Sequence, residues 1–547
     1  MRLAPFRPKL LTVLREGYNL SLLRADALAG LTVAIVALPL AMALGVASGA
    51  SPDKGLITAV VAGFLISALG GSRMQVGGPT GAFVVVIFNV IAQHGYDGLL
   101  IATLLAGIIL VSAGVTGLGQ LIKYIPHPVI TGFTAGIAVI IASSQVKDFF
   151  GLSITRVPAD FLPKWQAYLA AAGSVTWATI GVGLAALVMI VGLRKLAPKV
   201  PGFLVAIVVT STLVAVLRLP VETIGTRFPN IPAGLPAPSL PHVSLSKIGE
   251  LLPSALTIAF LAGIEALLSA LVADGMAGTR HRSDQELIGQ GIANIGAALF
   301  GGLPATGAIA RTATNIRSGA KTPIAGILHA TFLLLFILFA TKLMGFVPMA
   351  ALAAVLFMVA WGMSEYERFR ALLRMPGGDR LVLLVTFGLT VLIDLTVAIA
   401  TGIALASLLF MARMAAAVEV DGPLAAESDL GDDLGQRSKL PPDVEVFRVT
   451  GPIFFGVTGQ LSDALRNSGK SPRAVILRMR LVPLLDASGT QAIQEFVHRS
   501  HLAGVKVLLS GVRPQPFSML ERVGLGARSA EVTYASDYAE ALKMVRA

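Results

Sequence analysis

Fourteen apolar stretches fill most of the first 413 residues of this 547-residue chain and determine the environment in which it folds. A helix needs about 20 mainly apolar residues to cross a bilayer. The stretches lie at 26–47, 55–70, 79–93, 98–119, 127–147, 174–193, 201–218, 250–273, 284–300, 305–318, 322–342, 348–363, 380–394 and 395–413. We therefore expect a polytopic α-helical membrane protein with fourteen spans, several of them short.

The composition excludes most soluble classes. Charged residues make up 14% of the chain, against about 25% in a soluble domain, which excludes a soluble enzyme, a disordered chain and a nucleic-acid-binding protein. The chain has no cysteine, and its histidines lack metal-ligand spacing, so we expect no cofactor and no metal. The distribution of apolar and polar residues divides the chain into an N-terminal segment 1–25, a transmembrane domain 26–415, a linker 416–442 and a small α/β domain 443–547.

The positive charge lies in the membrane part. Of 43 Lys and Arg, 15 lie in residues 416–547 with 15 Asp and Glu, which leaves the whole excess of +12 to residues 1–415. An even number of spans places both termini on one side, and that side carries 19 loop Lys and Arg against 8 on the other. Basic loops stay in the cytoplasm, so we expect both termini and the C-terminal domain to be cytoplasmic.

A short motif occurs twice, at the third and the tenth span. Gly77–Ala82 opens the third span, Gly302–Ala308 opens the tenth, and Thr80 and Thr306 are 226 residues apart. Each half then has seven spans, and an odd number inverts the second half relative to the first. This is the signature of a transporter with inverted repeats.

Both motif-bearing spans are too short to cross the bilayer and begin with Gly, Pro and Thr. We interpret them as half-helices, whose free N–H groups carry about half a positive charge at each start. Two facing starts would form an anion site. The alternative is that both motifs are helix kinks or packing notches.

Three side chains within the spans are candidates for chemistry. A carboxylate inside the membrane is costly and points to function, so Glu265 in span eight is a candidate for taking up a proton or binding sodium, with Ser269 one turn further on. The alternative is a structural carboxylate satisfied by hydroxyl or backbone groups. Arg311 in span ten could attract an anion, or line a gate or extend towards the interface.

The sequence resembles the sulfate permease family, also called solute carrier family 26. The resemblance rests on the Pro-broken first span, GGPTGAF at span three, GIEALLSALVADGM at 263–276, and the continuous segment 259–326. The tail is similar to a STAS domain (sulfate transporter and anti-sigma factor antagonist). Its cues are Val446–Val449, Ile453–Phe455, Ala474–Leu477 and Asp486–Gly489.

The resemblance implies seven plus seven inverted spans, in which a core domain of spans 1–4 and 8–11 moves like an elevator against a gate domain of spans 5–7 and 12–14. It also implies a homodimer. By position it implies substrate contacts at Leu40, Leu44, Thr80, Gly81, Ala82, Thr306, Gly307, Ala308 and Arg311. Relatives carry Gln and Phe where this chain has Leu40 and Leu44, so its first-span wall is more apolar.

The resemblance further implies a symporter in the bacterial inner membrane that couples a small anion to H⁺, or alternatively to Na⁺, through Glu265. The segment around span eight favours C4-dicarboxylates such as fumarate. Sodium-coupled bicarbonate symport, proton-coupled sulfate symport, and an uncoupled channel or exchanger are the alternatives. The STAS domain is a candidate for binding a cytosolic regulator, and Ser488 is a regulatory phosphorylation candidate or a structural residue at a helix start. We expect Gly307→Val to block the anion and leave the fold intact.

Overall fold

The computed structural model describes residues 7–546 except 121–125, 156, 159, 199, 230, 231, 233, 242–244, 394, 422–440, 442, 460–462 and 464–471. The chain forms two compact units, residues 1–404 and 405–547. The predicted linker 416–442 falls mostly outside the described residues, and Glu419–Asp421 at its start forms a strand of the second unit.

The first unit is helical. Its helices, with the last extending into the second unit, are α1 (Lys9–Glu16), α2 (Leu20–Ala47), α3 (Pro52–Leu69), α4 (Val84–Val115), α5 (His127–Ser144), α6 (Val146–Phe150), α7 (Phe161–Ala170), α8 (Trp177–Leu196), α9 (Gly202–Leu217), α10 (Ile224–Arg227), α11 (Leu245–Ala277), α12 (Ser283–Leu299), α13 (Ile309–Arg317), α14 (Ile324–Met344), α15 (Met349–Met363), α16 (Tyr366–Leu372), α17 (Gly377–Leu392) and α18 (Leu395–Ala416).

Every apolar stretch of the sequence contains helix in the structure, and nine helices among the described residues are long and apolar enough to cross a membrane. The polytopic helical fold is thereby confirmed, while the exact fourteen spans and their seven-plus-seven arrangement stay predictions. The third and fourth stretches form one helix, α4, which is broken at Gly95, where φ is 73° and ψ is −179°. Glycine adopts this left-handed conformation without steric cost.

Glycine also explains how closely some helices pack. A Cβ on Gly107 of α4 would lie 2.7 Å from the Gly291 carbonyl oxygen of α12, and a Cβ on Gly291 would lie 2.5 Å from the Gly107 carbonyl oxygen. The two backbones therefore touch where side chains are missing. Small residues allow this approach in membrane helices.

The two copies of the motif meet at the centre of this unit. Gly77–Gly78 forms strand β1 and Thr306–Gly307 forms strand β2, and they pair antiparallel with Gly77 opposite Gly307 and Gly78 opposite Thr306. Antiparallel pairing of like sequences is what an inverted repeat would produce.

The second unit contains a five-stranded sheet in the order β3 (Glu419–Asp421), β4 (Val444–Thr450), β5 (Ala474–Leu481), β6 (Lys506–Ser510) and β7 (Val532–Ala535). The strand β3 is antiparallel to β4, and the others run parallel. Three helices complete the unit: α19 (Ala487–Leu502), α20 (Pro514–Arg522) and α21 (Tyr538–Arg546). The apolar runs near 444–456, 474–479 and 505–510 supply the parallel strands β4, β5 and β6, as a small α/β domain requires.

Alternate residues of β5 bury on opposite faces of this sheet, as the two-residue period of a strand requires. Leu477 packs with Ile493 and Val497 of α19, whereas Ile476 packs with Leu542 of α21. Helices on both faces explain why β5 begins with four consecutive buried apolar residues, Ala474–Leu477.

Asp486, rather than Ser488, caps α19. The Asp486 Oδ1 atom accepts a hydrogen bond from the Gly489 N–H at 2.7 Å, and Oδ2 accepts one from the Phe455 N–H at 3.0 Å. The Ser488 side chain is exposed in the first turn. Its structural role as a helix cap is therefore not supported, and its phosphorylation stays a prediction.

We expect Asp486→Ala to destabilise the start of α19 by about 0.5–2 kcal/mol, the usual cost of losing a cap. Ser488→Ala should change stability by less than about 0.5 kcal/mol, because its side chain is exposed. Hydrogen exchange of the 487–502 amides in the intact protein measures both. An equal loss of hydrogen-exchange protection in the two variants would contradict the assignment of Asp486 as the cap.

Candidate functional site

Two helix starts converge beside the β1–β2 pair. A short 3-10 helix, Gly81–Phe83, follows β1 and leads into α4, while α13 begins directly after β2. In the first turn of α13, the side chains of Ile309 and Ala310 are exposed. The backbone N–H groups of a first turn have no hydrogen-bond partner within their own helix. The Ala308 N–H is already donated to the Val76 carbonyl oxygen at 2.9 Å. The backbone N–H groups at this helix start that are free to bind a ligand are therefore those that follow Ala308.

Glu265 reaches one of these helix starts. The Thr80 hydroxyl, directly before the 3-10 helix, donates a hydrogen bond to the Glu265 Oε2 atom at 2.9 Å. Glu265, Thr80, Ala308 and Leu40 each keep part of their surface accessible, although most of their neighbours are buried. Glu265, the predicted coupling residue, and Thr80, a predicted substrate contact, thus meet at one partly accessible place. We call this place the helix-start junction.

Thr306 and Ser269 fix the backbone around this junction. The Thr306 hydroxyl donates to the Ala262 carbonyl oxygen of α11 at 2.7 Å. The Ser269 and Thr312 hydroxyls lie 3.0 Å apart, and Thr312 also accepts the Val76 N–H at 3.1 Å. Ser269 therefore contributes a hydrogen bond that joins α11 to α13. Its part in ion coupling stays a prediction.

Arg311 lies inside the protein. Its side chain is 3% exposed, and Nη2 donates to the Pro79 carbonyl oxygen at 3.0 Å. Nε and Nη1 have no hydrogen-bond partner among the described residues. A buried guanidinium with free donors is suited to an anion, and its burial argues against the alternative of an arginine that extends to the membrane surface.

The remaining predicted contacts are more buried. Leu44 is 1% exposed, and Ala82 and Gly81 are enclosed as well, whereas Leu40 is only partly buried. A Cβ on Gly81 would lie 2.7 Å from the Met363 Sδ atom of α15. Gly81 therefore marks a close contact of the helix start with α15.

The structure corrects the expectation for Gly307. A Cβ on Gly307 would overlap the side-chain amide of Gln75, whose own Nε2 and Oε1 atoms have no partner among the described residues. Gly307→Val would displace a buried side chain beside the β1–β2 pair. It is therefore no clean test of anion binding, because it changes the fold at the same time.

We expect Gly307→Ala to destabilise the protein by about 1–3 kcal/mol, the cost of overpacking. Gln75→Ala in the same chain should recover most of that loss, because it removes the overlapping atoms. Thermal unfolding of the purified protein measures this, with Gly362→Ala as control because no neighbour lies within 4 Å of a Cβ there. A double variant no more stable than Gly307→Ala would show that Gln75 is not what this glycine accommodates.

Two buried carboxylates that the sequence analysis missed bind backbone N–H groups outside the two motifs. Asp26 accepts the N–H groups of Lys321 and Thr322 at 2.8 and 3.1 Å. Glu286 accepts those of Gly71 and Ser72 at 2.8 and 2.9 Å. Both lie within predicted spans, so the signal that singled out Glu265 was available for them as well.

A helical membrane unit with two paired half-helix starts and a carboxylate beside them has the architecture of a secondary transporter. Residues 23–386 match the sulfate permease family, and residues 437–539 match the STAS domain. The chain belongs to the sulfate permease family.

Relatives of full length support this assignment. The chain is 42% identical over 513 residues to the putative sulfate transporter YvdB of Bacillus subtilis, which covers 93% of this chain and 95% of that protein. It is 31% identical to the bicarbonate transporter BicA of Synechocystis, over 95% of this chain and 94% of that protein.

Two solved structures are similar to the fold. The transmembrane domain of a cyanobacterial bicarbonate transporter BicA matches with a TM-score of 0.64 and 32% identity, over 70% of this chain and 98% of that one. Murine solute carrier 26 family member A9, solved in an inward-facing state, matches with a TM-score of 0.87 and 17% identity, over 98% of this chain and 93% of that one. The second likeness concerns the fold alone.

Proposed function

We propose that the protein is a secondary transporter that moves a small inorganic oxyanion, sulfate or bicarbonate, together with a cation. The observation that carries this proposal is the hydrogen bond from Thr80 to Glu265. It connects a helix start suited to an anion with an ionisable group inside the membrane unit.

Electrostatics then provides the coupling. A charged Glu265 repels an anion at the adjacent helix start, and like charges cost more where water is scarce. Uptake of a proton by Glu265, or of Na⁺ beside it, removes this repulsion. The cation and the anion therefore favour each other's binding, and they cross the membrane together by an elevator-like movement of core against gate.

The names of the relatives support the proposed substrate class. The relatives carry the names of sulfate and bicarbonate transporters, which favours the inorganic alternatives over the C4-dicarboxylates expected from the sequence.

Uptake into proteoliposomes tests the proposal. Labelled sulfate, bicarbonate and fumarate are offered under an imposed proton gradient and, separately, a sodium gradient, with ionophores and empty liposomes as controls. We expect one inorganic oxyanion to accumulate under one of the two gradients. Accumulation of fumarate alone would restore the dicarboxylate function, and uptake that ignores both gradients would favour an uncoupled exchanger or channel.

We also propose that the protein lies in the bacterial inner membrane as a homodimer, with both termini and the STAS domain in the cytoplasm, where that domain is open to a regulator. The prediction is that a tag after Ala547 is cleaved by protease in inverted vesicles and is protected in spheroplasts. Cleavage in spheroplasts would contradict the orientation that the loop charges indicate.

A further inference from the structure

A cavity of about 140 Å³ is lined in part by Val84, four residues after Thr80 of the helix-start junction. Val46 and Ala47 at the end of α2 and Val84 at the start of α4 form one side. Residues of α5, α6, α7 and α10 form the other. One water needs about 10–15 Å³, so the cavity has room for a small oxyanion and several waters. Leu40 and Leu44 lie on the same helix as Val46 and Ala47, and Thr80 precedes the 3-10 helix that leads into α4.

The cavity wall is cationic. Lys147, Lys164 and Arg227 line it, with Asp148 as the carboxylate. Arg227 already binds Asp148 through Nη1 at 3.1 Å and Nη2 at 2.6 Å, and its Nε donates to Glu222 at 2.9 Å. Asp148 and Glu222 therefore both bind one guanidinium, and neither forms an ion pair with Lys147 or Lys164 among the described residues.

Lys164 is the unusual member of this set. It is 4% exposed, and it has no salt bridge or side-chain hydrogen bond among the described residues. Its ammonium nitrogen lies 5.7 Å from the centre of the Phe88 ring on α4. Burial lowers the pKa of this ammonium, and the charge of Asp160 offsets the effect in part. A buried ammonium without a direct ion pair is costly, and an anion in the cavity would lower that cost.

We propose that this cavity is a second anion-binding site, in which Lys164 binds a small inorganic oxyanion on its path to or from the helix-start junction. Lys147 adds positive charge, and Gln145 and Asn89 also line the cavity. Its place on the transport path rests on the proposed function, whereas binding itself does not.

Trp165, next to Lys164, provides a readout that needs no transport. Its Nε1 donates to the Ser143 hydroxyl of α5 at 3.3 Å. Trp165 and Ser143 are the chain neighbours of the lining residues Lys164 and Ser144, so we expect the fluorescence of Trp165 to respond to a ligand in the cavity. The other tryptophans, Trp177 and Trp361, are 80% and 63% exposed and can be replaced by Phe. The full-length single-tryptophan protein is titrated with sulfate and with bicarbonate at constant ionic strength.

We expect a saturable change in Trp165 fluorescence with at least one of these anions. Lys164→Gln should weaken that binding about tenfold or more, as expected for one charge-assisted contact, and Lys164→Arg should retain most of it. The matched control is Lys54→Gln, because Lys54 also lies over an aromatic ring, 5.4 Å from the centre of Tyr96, but does not line the cavity. This control should bind normally.

Three results would overturn the site: no saturable change with either anion, an unchanged midpoint in Lys164→Gln, or an equal weakening in Lys54→Gln. Arg311→Ala separates this site from the proposed function, because it acts at the junction. Fluorescence titration that survives in Arg311→Ala while uptake falls supports two sites. Loss of both together would contradict a separate site at Lys164.

Discussion

Glu265→Gln is expected to abolish accumulation of the anion against its gradient while anion binding stays measurable. The substitution keeps the size of the side chain and leaves an oxygen that can accept the Thr80 hydrogen bond. It removes the only property that coupling requires, which is the change of charge when a cation arrives. Proteoliposome uptake with an imposed gradient measures the loss, and equilibrium binding to the purified protein measures what remains.

Two further variants sharpen this test. Glu250→Gln is the matched control, because Glu250 lies on the same helix with an exposed side chain, and it should accumulate the anion normally. Thr80→Val removes the hydrogen bond but keeps the carboxylate, so coupling should weaken without vanishing. Full accumulation by Glu265→Gln would show that the coupling ion binds elsewhere.

Arg311→Ala is expected to weaken anion binding by about 10- to 150-fold. That range corresponds to the loss of one charge-assisted contact of about 1.5–3 kcal/mol. Arg311 also donates to the Pro79 carbonyl oxygen directly before Thr80, so part of the effect comes from a less ordered helix start. Isothermal titration of the purified protein measures the change.

The control for this variant lies on the same short helix. Arg317→Ala removes an exposed arginine from α13 and should leave the affinity unchanged. Arg311→Lys retains the charge but not the planar group of donors, so an intermediate affinity is expected. An Arg311→Ala protein with normal affinity would exclude the guanidinium from the anion site.

Patterns local in the sequence predicted much of this fold. Apolar runs located the helices, since a bilayer demands long uninterrupted apolar stretches. The repeated Gly-Pro-Thr motif predicted that two distant segments would meet, and β1 pairs with β2 as a result. The carboxylate inside span eight stood out because so few charged groups lie in the spans.

Contacts between distant residues could not be predicted in this way. The bond from Thr80 to Glu265 joins residues 185 positions apart, and no local pattern specifies which hydroxyl a buried carboxylate will meet. The same holds for Gln75, which fills the space beside Gly307. Ser488 illustrates a local failure, because two capping residue types stand close together and the structure uses Asp486.

The central claim is that an anion binds at the helix-start junction, and its most direct measurement is to locate a bound anion in the full-length protein. Selenate is a suitable probe, at a concentration where it competes with uptake, because selenium is visible by anomalous scattering. The account predicts a selenium peak between the starts of α4 and α13, within contact distance of Arg311 and close to Thr80. A protein that binds selenate elsewhere and leaves this junction without a peak would contradict it.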